Sequence, residues 1–378
     1  MSDLPNMPAS SRESGDDVPS AITRRARNHS PYEMFRRMAE KHTPRLRYDG
    51  SRPFAPWQEE ARGAVLATLG RFPDDVEPNA ELVAEVERGG VVTQRWLIDV
   101  QPDLSCAAYV NRPASWSPGD APLPGILCWH GHGPVGFPVG MEAMMGNVSS
   151  PQLAALADLH GAYGMRMAAE GYVTFAVEWM GNGTMNDAVL PNNRDLAAGR
   201  DWCDLYYLNA TLLGMTPLGI NLLSGIRLMD FAVGLDYLDP DRIGAMGLSC
   251  GGTHALWSCL IDERIKAVEI ICYSDVFCDF AIRDLNYCGS QITPGLFDLV
   301  DVPDLQGLLA PRPLLIDIGA FDDCFRVESA TACFEQVREI YERAGAAENL
   351  TMNLFHGGHE WEGGASVDFF RRSLSGRE

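Results

Sequence analysis

The sequence contains no apolar run approaching the roughly 18 residues that a membrane-spanning helix needs. Its opening stretch, MSDLPNMPASSRESGDDVPS, lacks the apolar core of a secretory signal and reads as an unstructured polar tail. Positive charge is scarce. Lys and Arg number 30 against 51 Asp and Glu, a formal net charge of −21. Such a balance argues against nucleic acid and anionic membrane as partners and favours solubility. The ten cysteines follow no close-spaced framework, and Cys128, Cys259 and Cys272 lie inside apolar segments. That pattern suits reduced thiols in a cytoplasmic protein better than a disulfide scaffold. No internal repeat is visible, and no helical H-E-x-x-H zinc motif occurs.

What is present is a chain of 378 residues, 46% hydrophobic, long enough to bury a large core. Residues 1–30 form the polar tail. Residues 31–85 read as a helical extension, because PYEMFRRMAEKH and PWQEEARGAVLATLG carry apolar residues at helical spacing. This extension either packs across the main domain or makes a homodimer contact. Residues 86–378 form the main domain. VVTQRWLIDV and SCAAYVNRP alternate like a hairpin, and then strand, loop and helix repeat. GILCWH, VTFAVEW, RIGAMGLS, IKAVEIICY, RPLLIDIG and LTMNLFHG read as strands. Between them lie helical stretches such as NLLSGIRLMDFAVGLDYL and VESATACFEQVREIYERAG. This alternation predicts an α/β fold with a mostly parallel central sheet and helices on both faces. Three stretches, about 134–154, 180–215 and 274–311, break the rhythm and read as lid-like insertions.

In an open parallel sheet, ligands bind beyond the carboxyl ends of the strands. GLSCGG, residues 247–252, lies at such an end, between a strand and a helix. In a sharp strand-to-helix turn, Ser249 is the exposed middle residue, and Gly247 and Gly251 relieve crowding around it. A serine nucleophile needs a base, and the base needs an acid to orient it. The next strand, RPLLIDIG, ends in AFDDCF, which offers Asp322 and Asp323. The last strand, LTMNLFHG, leads into GHEW, which offers His359, with His356 just before it. The order Ser, Asp, His at successive strand ends is far more specific than the glycine-rich turn alone.

With GILCWHGHG, DRIGAMGLSCGG, APRPLLIDIGAFDD and FHGGHEW together, residues 90–375 resemble the α/β-hydrolase superfamily. The resemblance is to its dienelactone-hydrolase and acetyl-xylan-esterase-like branch. It implies the α/β-hydrolase fold and favours Asp322, the fourth residue of a G-x-x-D turn, and His359, the histidine of a G-G-H turn. Dienelactone hydrolases proper carry cysteine where this chain has Ser249, with Cys250 following. That departure weakens dienelactone as a substrate. The implied substrates are small acyl esters, acetylated sugars among them.

The expected enzyme is a serine hydrolase of carboxylesterase type that needs no cofactor and no metal. Ser249 is the nucleophile, His359 the base and Asp322 the orienting acid. The Cys250 N–H and the loop at Gly131 and His132 form the oxyanion hole. His130 and His132 can equally serve only to hold that loop. Trp202, Tyr206 and Tyr287 are candidate pocket-lining residues, as are Tyr207 and Phe277. Glu178 either faces the site or caps the turn after its strand, and Arg194 and Arg200 are read as solvated. The same triad could instead cleave an amide, a lactone or a C–C bond. A metal-dependent hydrolase built on His130, His132, His356 and His359 is a weaker alternative. GHGPVG, residues 131–136, mimics a dinucleotide-binding motif, but Pro134 and Pro138 obstruct the helix that should follow.

Overall fold

The computed structural model describes residues 30–132, 162–187 and 200–375. The polar tail, the expected insertion at 134–154, Arg194 and part of the 180–215 stretch fall outside these residues. The chain divides into two compact units, Met1–Lys41 and His42–Glu378. In the first, helix α1 (Pro31–Ala39) starts with Pro31 in its first turn, and the Ser30 side chain accepts the Glu33 N–H at 3.2 Å.

The second unit opens with α2 (Phe54–Ala67), which buries Trp57, Ala61 and Val65, a spacing that places them on one helical face. A nine-stranded sheet follows, in the order β1-β2-β3-β5-β4-β6-β7-β8-β9. Its strands are β1 (Glu81–Arg88), β2 (Val91–Gln101), β3 (Leu104–Pro113), β4 (Leu123–Trp129), β5 (Val173–Val177), β6 (Leu238–Leu248), β7 (Ile265–Ile271), β8 (Leu314–Gly319) and β9 (Leu350–Phe355). The first three form an antiparallel meander, and β3 also runs antiparallel to β5. From β5 to β9 every pairing is parallel. Strands β5 and β8 are buried at every position, as expected of a sheet covered on both faces. Strand β1 begins inside the segment expected to be helical. It is the exposed edge strand, with no residue buried, so it carries no inside–outside alternation to betray it.

The helices of this unit continue with α3 (Tyr163–Ala169), α4 (Trp202–Leu212), α5 (Pro217–Ala232) and α6 (Cys250–Ile261). Then come the short α7 (Leu296–Leu299) and α8 (Val302–Gly307), followed by α9 (Val327–Arg343) and α10 (Ser366–Ser373). Helix α5 starts where its sequence says it should: Thr216 caps it by accepting the Gly219 N–H at 3.0 Å, and Pro217 follows. No helix among the described residues is long and apolar enough to cross a membrane.

The strand order sets the position of the site. Strand β4 lies between β5 and β6, so the chain leaves β4 to one side and leaves β6 to the other. The crevice at their carboxyl ends is a topological switch point, where doubly wound sheets bind ligands. Trp129 at the end of β4 pairs with Gly247 at the end of β6, so the start of the loop at Gly131 and the GLSCGG turn are neighbours.

Candidate active site

The turn from β6 to α6 is tight enough to dictate its sequence. A Cβ on Gly247 would lie 2.1 Å from the Gly251 carbonyl oxygen, and a Cβ on Gly251 would lie 2.1 Å from that of Trp129. Neither distance is tolerable against backbone, so both positions require glycine. Between them Ser249 has φ +58° and ψ −122°, a strained conformation for a side-chain-bearing residue. The turn is held by the Ser249 N–H, which donates to the Ile271 oxygen at 2.8 Å, and by the Gly252 N–H, which donates back to the Ser249 oxygen at 2.8 Å.

Ser249 borders a cavity of about 210 Å³ whose wall includes His132, Tyr287, Cys288, Gln291 and Phe325. Cys250 is not among the residues that line it. Its thiol is buried, and burial pushes its pKa well above the ordinary value, so it stays protonated. As the first residue of α6, Cys250 has an N–H without an intrahelical acceptor. The loop after β4 lies against the same turn: a Cβ on Gly131 would come 3.1 Å from the Leu248 oxygen and 3.4 Å from the Ser249 Cβ.

The turns after β8 and β9 are locked together. The Phe321 N–H donates to the Gly357 oxygen at 2.9 Å, and a Cβ on Gly319 would sit 2.2 Å from the Gly358 oxygen. This lacing brings His359 Nδ1 to 2.9 and 3.1 Å from the two Asp322 carboxylate oxygens. Asp322 Oδ1 also accepts the N–H groups of Cys324 (2.8 Å) and Phe325 (3.0 Å). Burial is the largest influence on Asp322 and pushes its pKa up. The hydrogen bond and charge of His359, with the two N–H donors, outweigh it and hold the carboxyl below its usual value. Asp323 points to the surface beside Cys324, and His356 packs edge-on against Phe321 at 4.6 Å. The structure therefore pairs Asp322 with His359 and leaves Asp323 and His356 out of the pair. Phe325 links the two halves of the site, because it lines the Ser249 cavity and stacks on the His359 imidazole at 5.8 Å and 18°.

Beneath the site four aromatic rings stack in sequence. Trp129 lies on His254 at 5.0 Å, His254 on Trp179 at 5.1 Å, and Trp179 on His130 at 5.3 Å. His132 meets the edge of Trp179 at 5.1 Å. Burial pushes the His254 pKa down to about 4, so it is neutral at physiological pH. Asn221 donates to its Nε2 at 3.3 Å, which leaves Nδ1–H to donate to the Cys250 oxygen at 2.8 Å. His130 is buried, and its ring is held at the Gly131 oxygen, 2.8 Å away. The Trp179 indole donates to the His130 oxygen at 3.0 Å. His130 thus supports the loop.

Three of the residues considered for the pocket lie elsewhere. Glu178 is buried and accepts the Thr184 N–H (2.9 Å) and hydroxyl (2.5 Å), so it caps the turn after β5 rather than facing the Ser249 cavity. Trp202 and Tyr206 pack on each other at 5.4 Å, and the Tyr206 hydroxyl donates to Asp187 at 2.8 Å. Among the described residues, neither lines the cavity beside Ser249. Helix α4 presents these rings to its own surroundings, an orientation that composition could not reveal. Tyr287 does line that cavity, with its hydroxyl donating to the Gln291 oxygen at 2.6 Å. Phe277 lies with Tyr287 on a neighbouring apolar cavity of about 220 Å³. Arg200 is exposed. The histidines of the metal alternative are dispersed: among the described residues, no potential metal-ligating group contains more than one of His130, His132, His356 and His359.

Sequence reasoning missed Cys288, Gln291 and Phe325 as cavity residues. The first two lie in the 274–311 insertion, whose interruption of the strand-helix rhythm was the available signal. Cys288 is unusual chemically. Hydrogen bonds from Cys203 and Cys250 hold its thiol well below the ordinary pKa, against the opposing effect of burial, and His132 adds to the shift.

The Abhydrolase_7 family model, described as an abhydrolase family, matches residues 18–358. The chain belongs to this α/β-hydrolase family. It is 23% identical over 303 residues to YtaP of Bacillus subtilis, which carries the name of a candidate hydrolase; the match covers 79% of this chain and 93% of YtaP. Among solved structures, a candidate acetyl xylan esterase from Bacteroides fragilis superposes with a TM-score of 0.67 at 19% identity, covering 90% of this chain and 85% of that one. A glucuronoyl esterase from Solibacter usitatus gives a TM-score of 0.63 at 14% identity, covering 88% and 98%. The two structural similarities establish the shared fold.

Proposed function

We propose that this α/β-hydrolase is a serine carboxylesterase that cleaves a small-molecule ester through an acyl-enzyme. The observation that carries the reading is the His359–Asp322 hydrogen bond at 2.9 Å, at the same edge of the sheet as a serine held at φ +58°. Asp322 accepts from Nδ1–H, so in the neutral form of the ring Nε2 is the nitrogen that can accept a proton. His359 takes the Ser249 hydroxyl proton as the oxygen attacks the ester carbonyl. The Cys250 N–H and the backbone at Gly131 and His132 stabilise the tetrahedral oxyanion. His359 then passes its proton to the leaving alcohol and activates the water that releases the acid. The names of the structural neighbours, acetyl xylan esterase and glucuronoyl esterase, support esters of carbohydrates as the first substrates to try.

The test is covalent labelling with a fluorophosphonate followed by peptide mapping. Label on Ser249 that persists in Cys250→Ala and disappears in Ser249→Ala supports the reading. A folded wild-type protein that takes up no label at Ser249 refutes it.

A further inference from the structure

Two residues of the Ser249 cavity wall, His132 and Cys288, belong with the buried Cys203 to a cluster whose side chains the ester reading does not use. His132 Nε2 lies 3.1 Å from Cys288 Sγ. Those two atoms and Cys203 Sγ all lie within 4.8 Å of one another. They come from three separate parts of the chain: the loop after β4, the start of α4, and the 274–311 insertion. Their convergence is fixed by backbone. Cys203 is buried near the start of α4, where Asp201 accepts its N–H at 2.7 Å. Asp204, one residue on, accepts the Gly289 N–H at 2.9 Å and so ties α4 to the residue after Cys288. The chains approach so closely that a Cβ on Gly289 would lie 2.7 Å from the Cys203 oxygen, and a Cβ on Gly181 would lie 2.6 Å from Cys203 Sγ.

We propose that His132, Cys203 and Cys288 form a site for a soft divalent cation of the zinc class, with the fourth position open to the cavity that Ser249 borders. The donor set is the reason for the class. Two thiolates and an imidazole suit zinc, whereas magnesium and calcium demand oxygen ligands. The geometry agrees. With Zn–S near ~2.3 Å and Zn–N near ~2.0 Å, tetrahedral ligand atoms stand roughly 3.5–3.8 Å apart, within the spread of this cluster. Binding requires both sulfurs as thiolates and the imidazole unprotonated, so affinity falls as the solution is acidified. The three ligands leave one tetrahedral position for water or a small anion, the arrangement of an open rather than a closed zinc site. The proposal goes beyond the ester reading and stands whether or not Ser249 is the nucleophile.

The test uses the untagged, reduced full-length chain after chelator treatment, titrated with Co²⁺ and then with Zn²⁺ against a fluorescent chelator. One equivalent of Co²⁺ should give an intense near-ultraviolet thiolate-to-cobalt band, which one equivalent of Zn²⁺ abolishes. Cys288→Ser should remove the band and weaken Zn²⁺ binding by roughly 100-fold or more, and His132→Gln by roughly 10-fold. Cys106→Ser, buried in β3, and Cys324→Ser, beside Asp322 and Asp323, should bind as the wild type does. Because Cys203 is buried, Cys203→Ser is read only alongside a thermal melt. The half-exposed Cys288 carries the result by itself. Absence of the thiolate band in wild type, or unchanged affinity in Cys288→Ser, overturns the site.

Discussion

Asp317 and Asp322 stand on one short stretch of chain, the first inside β8 and the second in the turn that follows, and both are buried. They are nevertheless driven in opposite directions. Asp317 faces Glu269 on β7, and burial raises its pKa to about 6, against the hydrogen bonds of Glu269 and Asn353. Glu269 is pushed well above its ordinary value, first by burial and then by the charge of Asp317. Its Oε1 accepts from Ser366 at 2.6 Å and from Trp361 at 3.1 Å, yet these donors do not offset the burial. Asp322 is subject to the same influence of burial and still ends below its usual value, because His359 and two N–H groups converge on it. Burial alone does not decide the charge of a carboxyl; the groups aimed at it do.

The largest effect should come from removing the favoured member. Asp322→Asn should lower kcat/KM on an activated acetyl ester by about 10³–10⁴-fold, since the amide no longer holds His359 in the tautomer that accepts a proton. Steady-state kinetics on a variant with an unchanged far-ultraviolet spectrum checks this. A loss of less than tenfold would break the assignment of Asp322.

The next effect is on stability and has the opposite sign for the two aspartates. A carboxyl whose folded pKa is raised contributes stability below its unfolded value and loses it as pH climbs through the folded value. For Asp317 that window runs from about pH 4 to about pH 6, and Glu269 extends it upward. Asp322, held low, contributes stability above its unfolded pKa and loses it in stronger acid. Asp317→Asn should therefore stabilise the protein at pH 8 by roughly 1–2 kcal/mol, an advantage that shrinks as the pH is lowered toward 4. Asp275, Asp301 and Asp304 are raised in the same direction, so the wild-type profile is a sum. The difference between the two denaturation profiles isolates Asp317. The smallest effect belongs to Asp323→Asn, which should leave kcat/KM within about twofold, because Asp323 makes no contact with His359.

The candidate site residues stand out in the sequence because the turns that carry them constrain their own sequences. Gly247 and Gly251 are forced by backbone contacts, and Asp322 and His359 end strands whose apolar runs are plain to see. The parallel strands were legible for the same reason. The edge strand β1 was not, since exposure on both faces removes alternation. Trp202 and Tyr206 show a different limit. Both lie on α4, which the Asp204–Gly289 hydrogen bond ties to the 274–311 segment, a long-range contact that no local pattern announces. Cys288 and Phe325 reach the cavity through tertiary placement alone. Glu178 had two readings from sequence, and the sharp turn at Gly183, where a Cβ would meet its carboxylate, selects the cap.

The ring stack under the site has an optical consequence. His254 is sandwiched between two indoles, those of Trp129 and Trp179. A protonated imidazole pressed against an indole quenches its emission, and a neutral one does so far less. Acidification through the His254 pKa of about 4 should therefore darken these two tryptophans. The molecule carries a built-in, label-free reporter in the layer directly below Ser249, and a fluorescence titration in acid reads when that layer first admits a proton.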